Sequence, residues 1–207
     1  NQARIGLTDQ SGKSNITAKA REFNIKLTEE ELASIAVRYQ KLINNGANFG
    51  QADASFYLFL MRELGRLPKF FDVHALNVMI EKIKGFAITS TANLHLKING
   101  KAKTNKTCGV GPVHAMDAAL RLSLKDKLPS IKQVRLIDFK VRDVESHHGS
   151  AAKVRVVISF SDKQLHWSTM AVHQNIIIAS WKALLDGYIY KMSHATSPTL
   201  LPSPLIH

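Results

Sequence analysis

The stretch GVGPVHA, Gly109–Ala115, lies between two sets of predicted strands and marks the start of a predicted helix. Pro112 suits a first helical turn, because the N–H that proline lacks would have no helical partner there. Gly109 and Gly111 permit a tight turn from strand to helix and a close approach of another group to the backbone. The free N–H groups of such a helix start can bind a carboxylate or a phosphate. The spacing alone does not separate an anion site from an ordinary structural turn.

Alternating apolar residues predict strands before this turn. Residues 71–80 are a strand candidate, and apolar side chains alternate with polar ones from Ala92 to Ile98. The dipeptide Asn99-Gly100 is typical of a tight hairpin, which here leads into a third strand at Lys101–Cys108. The helix that begins at Gly109–Ala115 therefore follows three consecutive strands.

The same order of three strands and one helix recurs in the second half of the chain. This comparison pairs Gly109 with Ala171 and Pro112 with Gln174. Such an internal repeat predicts an α+β fold in which two βββα units pack with pseudo-twofold symmetry, sheet against helix. A turn is predicted at His147–Ser150. The second set of elements comprises strands at Val134–Val144, Ala152–Phe160 and Leu165–Val172 and a helix at Asn175–Met192.

The first third of the chain has helical periodicity instead. A predicted loop at Ser11–Asn15 leads into a short helix at about Ile16–Phe23. Thr28 and Glu31 have the spacing of a capping box and predict the start of a second helix. A further helix is predicted at about Gln51–Leu64.

These changes of period divide the chain into three predicted parts. Residues 1–69 form a helical subdomain that ends in a linker at Arg66–Lys69. Residues 70–192 form the α+β domain. Residues 193–207 contain three prolines and are predicted to be a flexible tail.

Composition indicates a globular protein. The 207 residues are 45% hydrophobic, which is enough for a substantial core, and there is no long apolar run that predicts a membrane span. The chain begins at Asn1 without a signal peptide or an initiator Met, so we expect a fragment of a longer protein. The single cysteine, Cys108, excludes an internal disulfide and favours a cytoplasmic location.

The net charge of +12 raises the possibility of a nucleic-acid partner. The basic residues are scattered, however, and are not interleaved with aromatic residues as on a base-stacking surface. A solvated basic surface is the favoured interpretation, and nucleic-acid binding is kept as an alternative.

Candidate catalytic and metal-binding residues form no recognisable constellation. The nine histidines, including the adjacent His147-His148, lack a metal-ligand spacing, so no metal site is predicted. Cys108 has no base beside it in the sequence and is interpreted as a small buried residue. Asp138 and Asp143 are five residues apart on one predicted strand and therefore lie on opposite faces.

Several motifs in order resemble the 2-isopropylmalate, homocitrate and citramalate synthase family. Gly109–Leu120 resembles the family's Gly-Asp-Gly-Pro-Val-Asn-Ala-Leu-Asp-x-Ala-Leu element. Asp138–Arg142 and Ile176–Trp181 are most similar to the citramalate synthase branch. Ser11–Ile16 resembles the segment that follows the family's catalytic barrel. The remaining matches are Leu136–Arg142, Gly149–Val156, Trp167–Val172 and Asn175–Leu184.

The resemblance implies that this is the C-terminal part of an acyltransferase of branched-chain amino-acid biosynthesis. The catalytic barrel, with its divalent metal, would precede Asn1 and condense acetyl-CoA with a 2-oxo acid, pyruvate in the case of citramalate. Without it the chain would be inactive and would need no cofactor. Residues 1–69 would be the linker subdomain. Residues 70–192 would be an allosteric domain that forms a homodimer and binds isoleucine or leucine as feedback inhibitor, with neither nucleic acid nor membrane as a partner.

The family pattern also implies an effector site. The start of the helix would supply donors to the carboxylate, and apolar residues would line a slot for the side chain, although the same residues are equally suited to the core. Val110, Phe139, Asp143 and Gln174 depart from the family pattern, and a dimerisation module with a degenerate pocket is therefore a second hypothesis. The predicted effector-binding residues are Gly109, Gly111, Val113, Leu136, Phe139, Asp143, Ala152, Val154 and Ile176.

Overall fold

The computed structural model describes residues 2–144 and 152–196, with side chains described from residue 12 to 195 within those ranges. The turn predicted at His147–Ser150 and the tail residues 197–207 lie outside the described residues. The last helix continues to Thr196, beyond the predicted end at Met192. Ser193 is buried in that extension and its hydroxyl donates to the Ile189 carbonyl, 2.9 Å away.

The N-terminal third is helical, as predicted, but its first helix is longer than predicted. The loop expected at Ser11–Asn15 is wrong, because this stretch lies within α1. Ile16 and Ala20 are buried on one face of that helix. The free energy gained by this burial outweighs the poor intrinsic helix propensity of Ser, Gly and Asn. The helical elements are α1 (Gln2–Glu22), α2 (Glu29–Asn44), a 3₁₀ turn (Phe49–Gln51) and α3 (Asp53–Glu63).

The capping box at the start of α2 is confirmed. The Glu31 backbone N–H donates to Thr28 Oγ1 at 3.2 Å, and the Thr28 N–H donates to Glu31 Oε2 at 2.9 Å. Each side chain thus satisfies a backbone donor that the helix itself leaves unpaired.

Two βββα units follow, which confirms the predicted fold class. Each sheet has three antiparallel strands in sequential order. Asn99 and Gly100 have φ values of 50° and 79° and form the predicted tight hairpin. The first unit contains β1 (Asp72–Glu81), β2 (Thr89–Ile98), β3 (Lys101–Gly109) and α4 (Pro112–Leu124). The second contains β4 (Arg135–Asp143), β5 (Val154–Ser161), β6 (His166–His173) and α5 (Ile176–Thr196).

The correspondence between the two units differs from the predicted one. β3 ends at Gly109 and β6 ends at His173, so His173 and not Ala171 is the counterpart of Gly109. Ala171 lies inside β6, opposite Val156. The two helix starts also differ chemically, because Asn175 Oδ1 accepts hydrogen bonds in the first turn of α5 whereas α4 has no such cap.

The two units share one core. α4 packs against β2 and β3, and α5 packs against β5 and β6. α3 lies against β6 and α5, and the Arg155 guanidinium also joins the helical third to the second sheet by donating to the Gly46 carbonyl at 2.8 Å.

A polar cluster joins α4 to α5. The Tyr188 hydroxyl donates to Asp117 Oδ1 at 2.5 Å, and Arg121 Nε donates to Asp117 Oδ2 at 2.6 Å. Arg121 also reaches the carbonyl of Val134 at 2.8 Å, just before β4. Burial, and then the Asp117 charge, raise the pKa of Tyr188 far above its usual range, so the phenol remains a donor.

Candidate functional site

The start of α4 is open, and its two glycines have different roles. A Cβ on Gly109 would lie 2.5 Å from the Ala115 backbone nitrogen, so the end of β3 packs directly against the first turn of the helix. Gly111 is the N-cap, in extended conformation, and a Cβ there would meet nothing within 4 Å. No side chain in the described part of the chain caps this helix, Val110 is 88% exposed, and the Val110 N–H donates to His114 Nδ1 at 3.3 Å. The first-turn N–H groups, from Val113 onward, can therefore bind an anion.

The other predicted residues belong to the second unit. Asp143 and Val154 are direct cross-strand partners, and Val154 also pairs with His173. Ile176 begins α5 shortly after His173, so it lies at the same end of the sheet. Asp143 is exposed, and its carboxylate is therefore not buried among apolar side chains within this chain.

Leu136 lies at the opposite end of β4. It pairs with Phe160, whereas Phe139 pairs with Ile158 near the middle of the strand. Leu136 and Asp143 are separated by about 23 Å of extended chain at roughly 3.3 Å per residue. One small ligand cannot contact both, and Gly109–Val113 belongs to the other unit, so within one chain these residues do not form a single compact pocket.

Exposure separates the apolar candidates into two groups. Val113, Leu136 and Val154 are partly buried and pack against the core, and Ala152 is buried. Phe139 is 37% exposed and Ile176 is 44% exposed, so these two side chains remain accessible to a ligand or a partner.

The prediction that Cys108 is buried is wrong. The preceding Thr107 faces α4, where its hydroxyl donates to the Ala115 carbonyl at 2.7 Å. Alternation along β3 directs Cys108 to the other face of the sheet, where it is exposed and its sulfur lies 3.9 Å from Thr91 Oγ1.

The described residues contain neither a metal-binding cluster nor a membrane-spanning helix. Within 2–144 and 152–196, no three His, Cys, Asp or Glu side chains are grouped closely enough to hold a metal ion. Among the helices in the described part of the chain, none is long and apolar enough to cross a membrane.

Sequence reasoning missed a groove of about 660 Å³ beside β6. Ser55, the first polar residue in the buried stretch of α3, could have indicated that α3 meets a polar surface, because a buried hydroxyl needs a hydrogen-bond partner. None of the nine predicted effector residues lines the groove. Its walls are formed by Leu42, Asn45, Ala47, Phe49, Ser55, Phe59, Arg62, Glu63, Lys153, Met170, Ala171, Val172, His173, Gln174 and Asp186.

Comparison with known families identifies the two repeated units. Residues 51–192, from the 3₁₀ turn before α3 through most of α5, match the LeuA allosteric (dimerisation) domain. The chain belongs to this family. The LeuA domain match includes α3 together with both βββα units, in agreement with the packing of α3 against β6 and α5.

Similar full-length proteins are citramalate synthases. The (R)-citramalate synthase of Geobacter sulfurreducens is 40% identical over 195 residues, and that of Aquifex aeolicus is 36% identical over 195 residues. That of Streptomyces coelicolor is 34% identical over 198 residues. These alignments cover 93%, 93% and 94% of the chain but only 37% of each relative. The LeuA-domain chain thus spans little more than a third of the length of these relatives.

Proposed function

We propose that this chain is the regulatory and dimerisation portion of a cytoplasmic citramalate-type synthase. The match of α3 and both βββα units to the LeuA allosteric domain carries this proposal, together with the similarity to citramalate synthases along almost the whole chain. The condensation of acetyl-CoA with a 2-oxo acid such as pyruvate, and the divalent metal that supports it, then belong to the part of the relatives that this chain does not span.

The effector of this domain is isoleucine or leucine on this proposal. The first-turn N–H groups of α4, from Val113 onward, support carboxylate binding, and the exposed Phe139 and Ile176 offer apolar contacts. Since these groups are distributed over both units, a second protomer completes the site by bringing them next to one another.

The exposed face of β4 supports a homodimer. β4 is an outer strand of its sheet, and Ile137, Phe139 and Val141 are each at least 37% exposed on it. Apolar side chains on an outer strand favour association with another chain. Asp138 and Lys140 form an ion pair of 2.6 Å on the other face of the strand from Phe139 and Val141, and Lys140 holds the pKa of Asp138 below its usual range.

Calorimetric titration of the 207-residue chain with isoleucine, leucine and valine tests effector binding. We expect saturable binding of isoleucine or leucine, with discrimination among the three of about 1–3 kcal/mol from side-chain packing. The substitution Phe139→Ala is expected to weaken this binding at least tenfold. Heat from none of the three amino acids would contradict effector binding.

A second hypothesis is a dimerisation module without an effector. It is favoured by the exposed carboxylate of Asp143 and by Val110, which offers no polar group at the helix start. Sedimentation analysis separates the two hypotheses when it is combined with calorimetry. A dimer that gives no heat with any amino acid supports the second hypothesis, whereas a monomer contradicts both.

A further inference from the structure

One side of the β6 backbone is unpaired by the sheet. β6 is an outer strand, and its partner β5 occupies only one side. Ser55 identifies the outward-facing groups, because the Met170 N–H donates to Ser55 Oγ at 2.7 Å and the Ser55 hydroxyl reaches the Met170 carbonyl at 3.3 Å. Since outward-facing residues alternate along an antiparallel strand, Val172 has the same orientation as Met170.

The outward-facing main chain of Val172 has no partner among the described residues. Neither its N–H nor its C=O is hydrogen-bonded to any of them. The main chain of Met170, two residues earlier, is instead hydrogen-bonded to Ser55. Val172 therefore presents its N–H donor and its C=O acceptor to the groove beside β6. The two groups have the spacing of one residue in an extended strand.

The walls of the groove are chemically mixed. Leu42, Ala47 and Phe59 supply an apolar side from the helical third of the chain. Both signs of charge are present at the rim, where Arg62 pairs with Asp186 of α5. A ligand of zero net charge with one apolar substituent complements this lining.

We propose that the groove binds a ligand that contains one extended amino-acid residue with an aliphatic side chain. Residues that form a hydrogen-bonded antiparallel pair exchange both N–H···O bonds, so a single ligand residue can donate to and accept from Val172. Directly opposed residues direct their side chains to the same face of the sheet. That face carries Met170, which lines the same groove as Phe59, so the ligand side chain lies on the Met170 side of the groove.

This ligand chemistry has two sources, a free amino acid or one residue of a short peptide. The matching probes are L-leucine and N-acetyl-L-leucine methylamide, in which the same residue carries neutral amides. Titrations are made in the Phe139→Ala background, in which binding to the separately predicted effector site is expected to be at least tenfold weaker.

The variant Val172→Pro tests the main-chain contact. The Val172 N–H faces away from β5, so proline removes the donor without removing a bond of the sheet. Val172→Ile is the matched control, because it keeps the N–H and the side-chain shape. We expect saturable binding of at least one probe to the control and at least tenfold weaker binding to Val172→Pro, with folding of both checked by circular dichroism.

A second pair of variants covers the case in which the proline variant fails to fold. Leu42→Lys places a charge on the apolar wall, and Val37→Lys places the same charge on the same helix outside the groove. Leu42 is 37% exposed and Val37 is 59% exposed, so neither change buries a charge in the core. We expect Leu42→Lys to weaken probe binding at least tenfold and Val37→Lys to leave it within twofold.

The results separate this site from the effector site. Binding of leucine alone identifies a free amino acid as the ligand, and binding of the methylamide alone identifies a peptide residue. Absence of binding by both probes overturns the groove proposal, as does binding that survives both Val172→Pro and Leu42→Lys. Leucine binding that the original chain shows and the Phe139→Ala background lacks overturns it too, while supporting the proposed effector site.

Discussion

The two glycines at the start of α4 differ in what an added methyl group would meet. At Gly109 the methyl carbon would lie 2.5 Å from the Ala115 nitrogen and 3.0 Å from the Ala115 Cα. These are backbone atoms that cannot rotate away, so either the end of β3 or the first turn of α4 must move. Overpacking of this kind costs about 1–3 kcal/mol, and we expect Gly109→Ala to lower the free energy of unfolding by about 2 kcal/mol.

Gly111→Ala is the matched control, because Gly111 is the N-cap of the same helix and lies two residues further along the chain. A methyl group at Gly111 meets open space, and its φ of −159° is accessible to any residue. The lower entropy of the unfolded chain gains about 0.4–1 kcal/mol, and the poorer N-cap costs a similar amount. We therefore expect stability within about 1 kcal/mol of the original protein.

Urea denaturation followed by tryptophan fluorescence measures both changes. A loss of about 2 kcal/mol corresponds to a fall in Tm of roughly 4–8 °C for a domain of this size. Equal stabilities of Gly109→Ala and Gly111→Ala would refute the assignment of a packing role to Gly109 alone.

Three further substitutions test the contacts that join the elements. Tyr188→Phe leaves a carboxylate oxygen of Asp117 without its 2.5 Å donor, so we expect the free energy of unfolding in urea to fall by about 1–3 kcal/mol. An unchanged urea midpoint would contradict a stabilising role for this hydrogen bond. Ser55→Ala leaves backbone groups of β6 unpaired, and a loss of about 1–3 kcal/mol is expected in the same assay, whereas no loss would show that this part of the edge is satisfied in another way. Burial opposes ionisation of Asp162, but bonds from Lys191 and two backbone N–H groups outweigh it and lower its pKa. The ionised Asp162 therefore contributes its full stabilisation above the usual Asp pKa range, and this stabilisation is lost as the pH falls below about 4. We expect the Tm of Asp162→Asn to fall less than that of the original protein between pH 4 and lower pH. An equal fall in Tm for both proteins would contradict this.

Hydrophobic period and turn chemistry predicted the two βββα units. The alternation from Ala92 to Ile98, the Asn99-Gly100 hairpin and the Pro112 helix start are local features, and the structure contains all three. The helix through Ser11–Asn15 was missed, because it depends on burial of residues further along the same helix rather than on local preference.

The candidate sites depend on contacts that are distant in sequence. Ser55 and Met170 are 115 residues apart, so no sequence pattern indicates that a hydroxyl on α3 meets the edge of β6. The positions of Leu136 and Asp143 at opposite ends of β4 follow from strand geometry, but family resemblance placed both in one pocket. The exposure of Cys108 depends on which face of its strand α4 covers, which the period alone does not specify.

Amide hydrogen exchange with and without isoleucine or leucine tests the central claim most directly. If the LeuA domain is a sensor of branched-chain amino acids, exchange slows at the first-turn N–H groups of α4, starting at Val113, and along β4 around Phe139. Protection at Val172 in the same experiment would report the separate groove. Unchanged exchange at both Val113 and Phe139 with saturating amino acid would contradict the account.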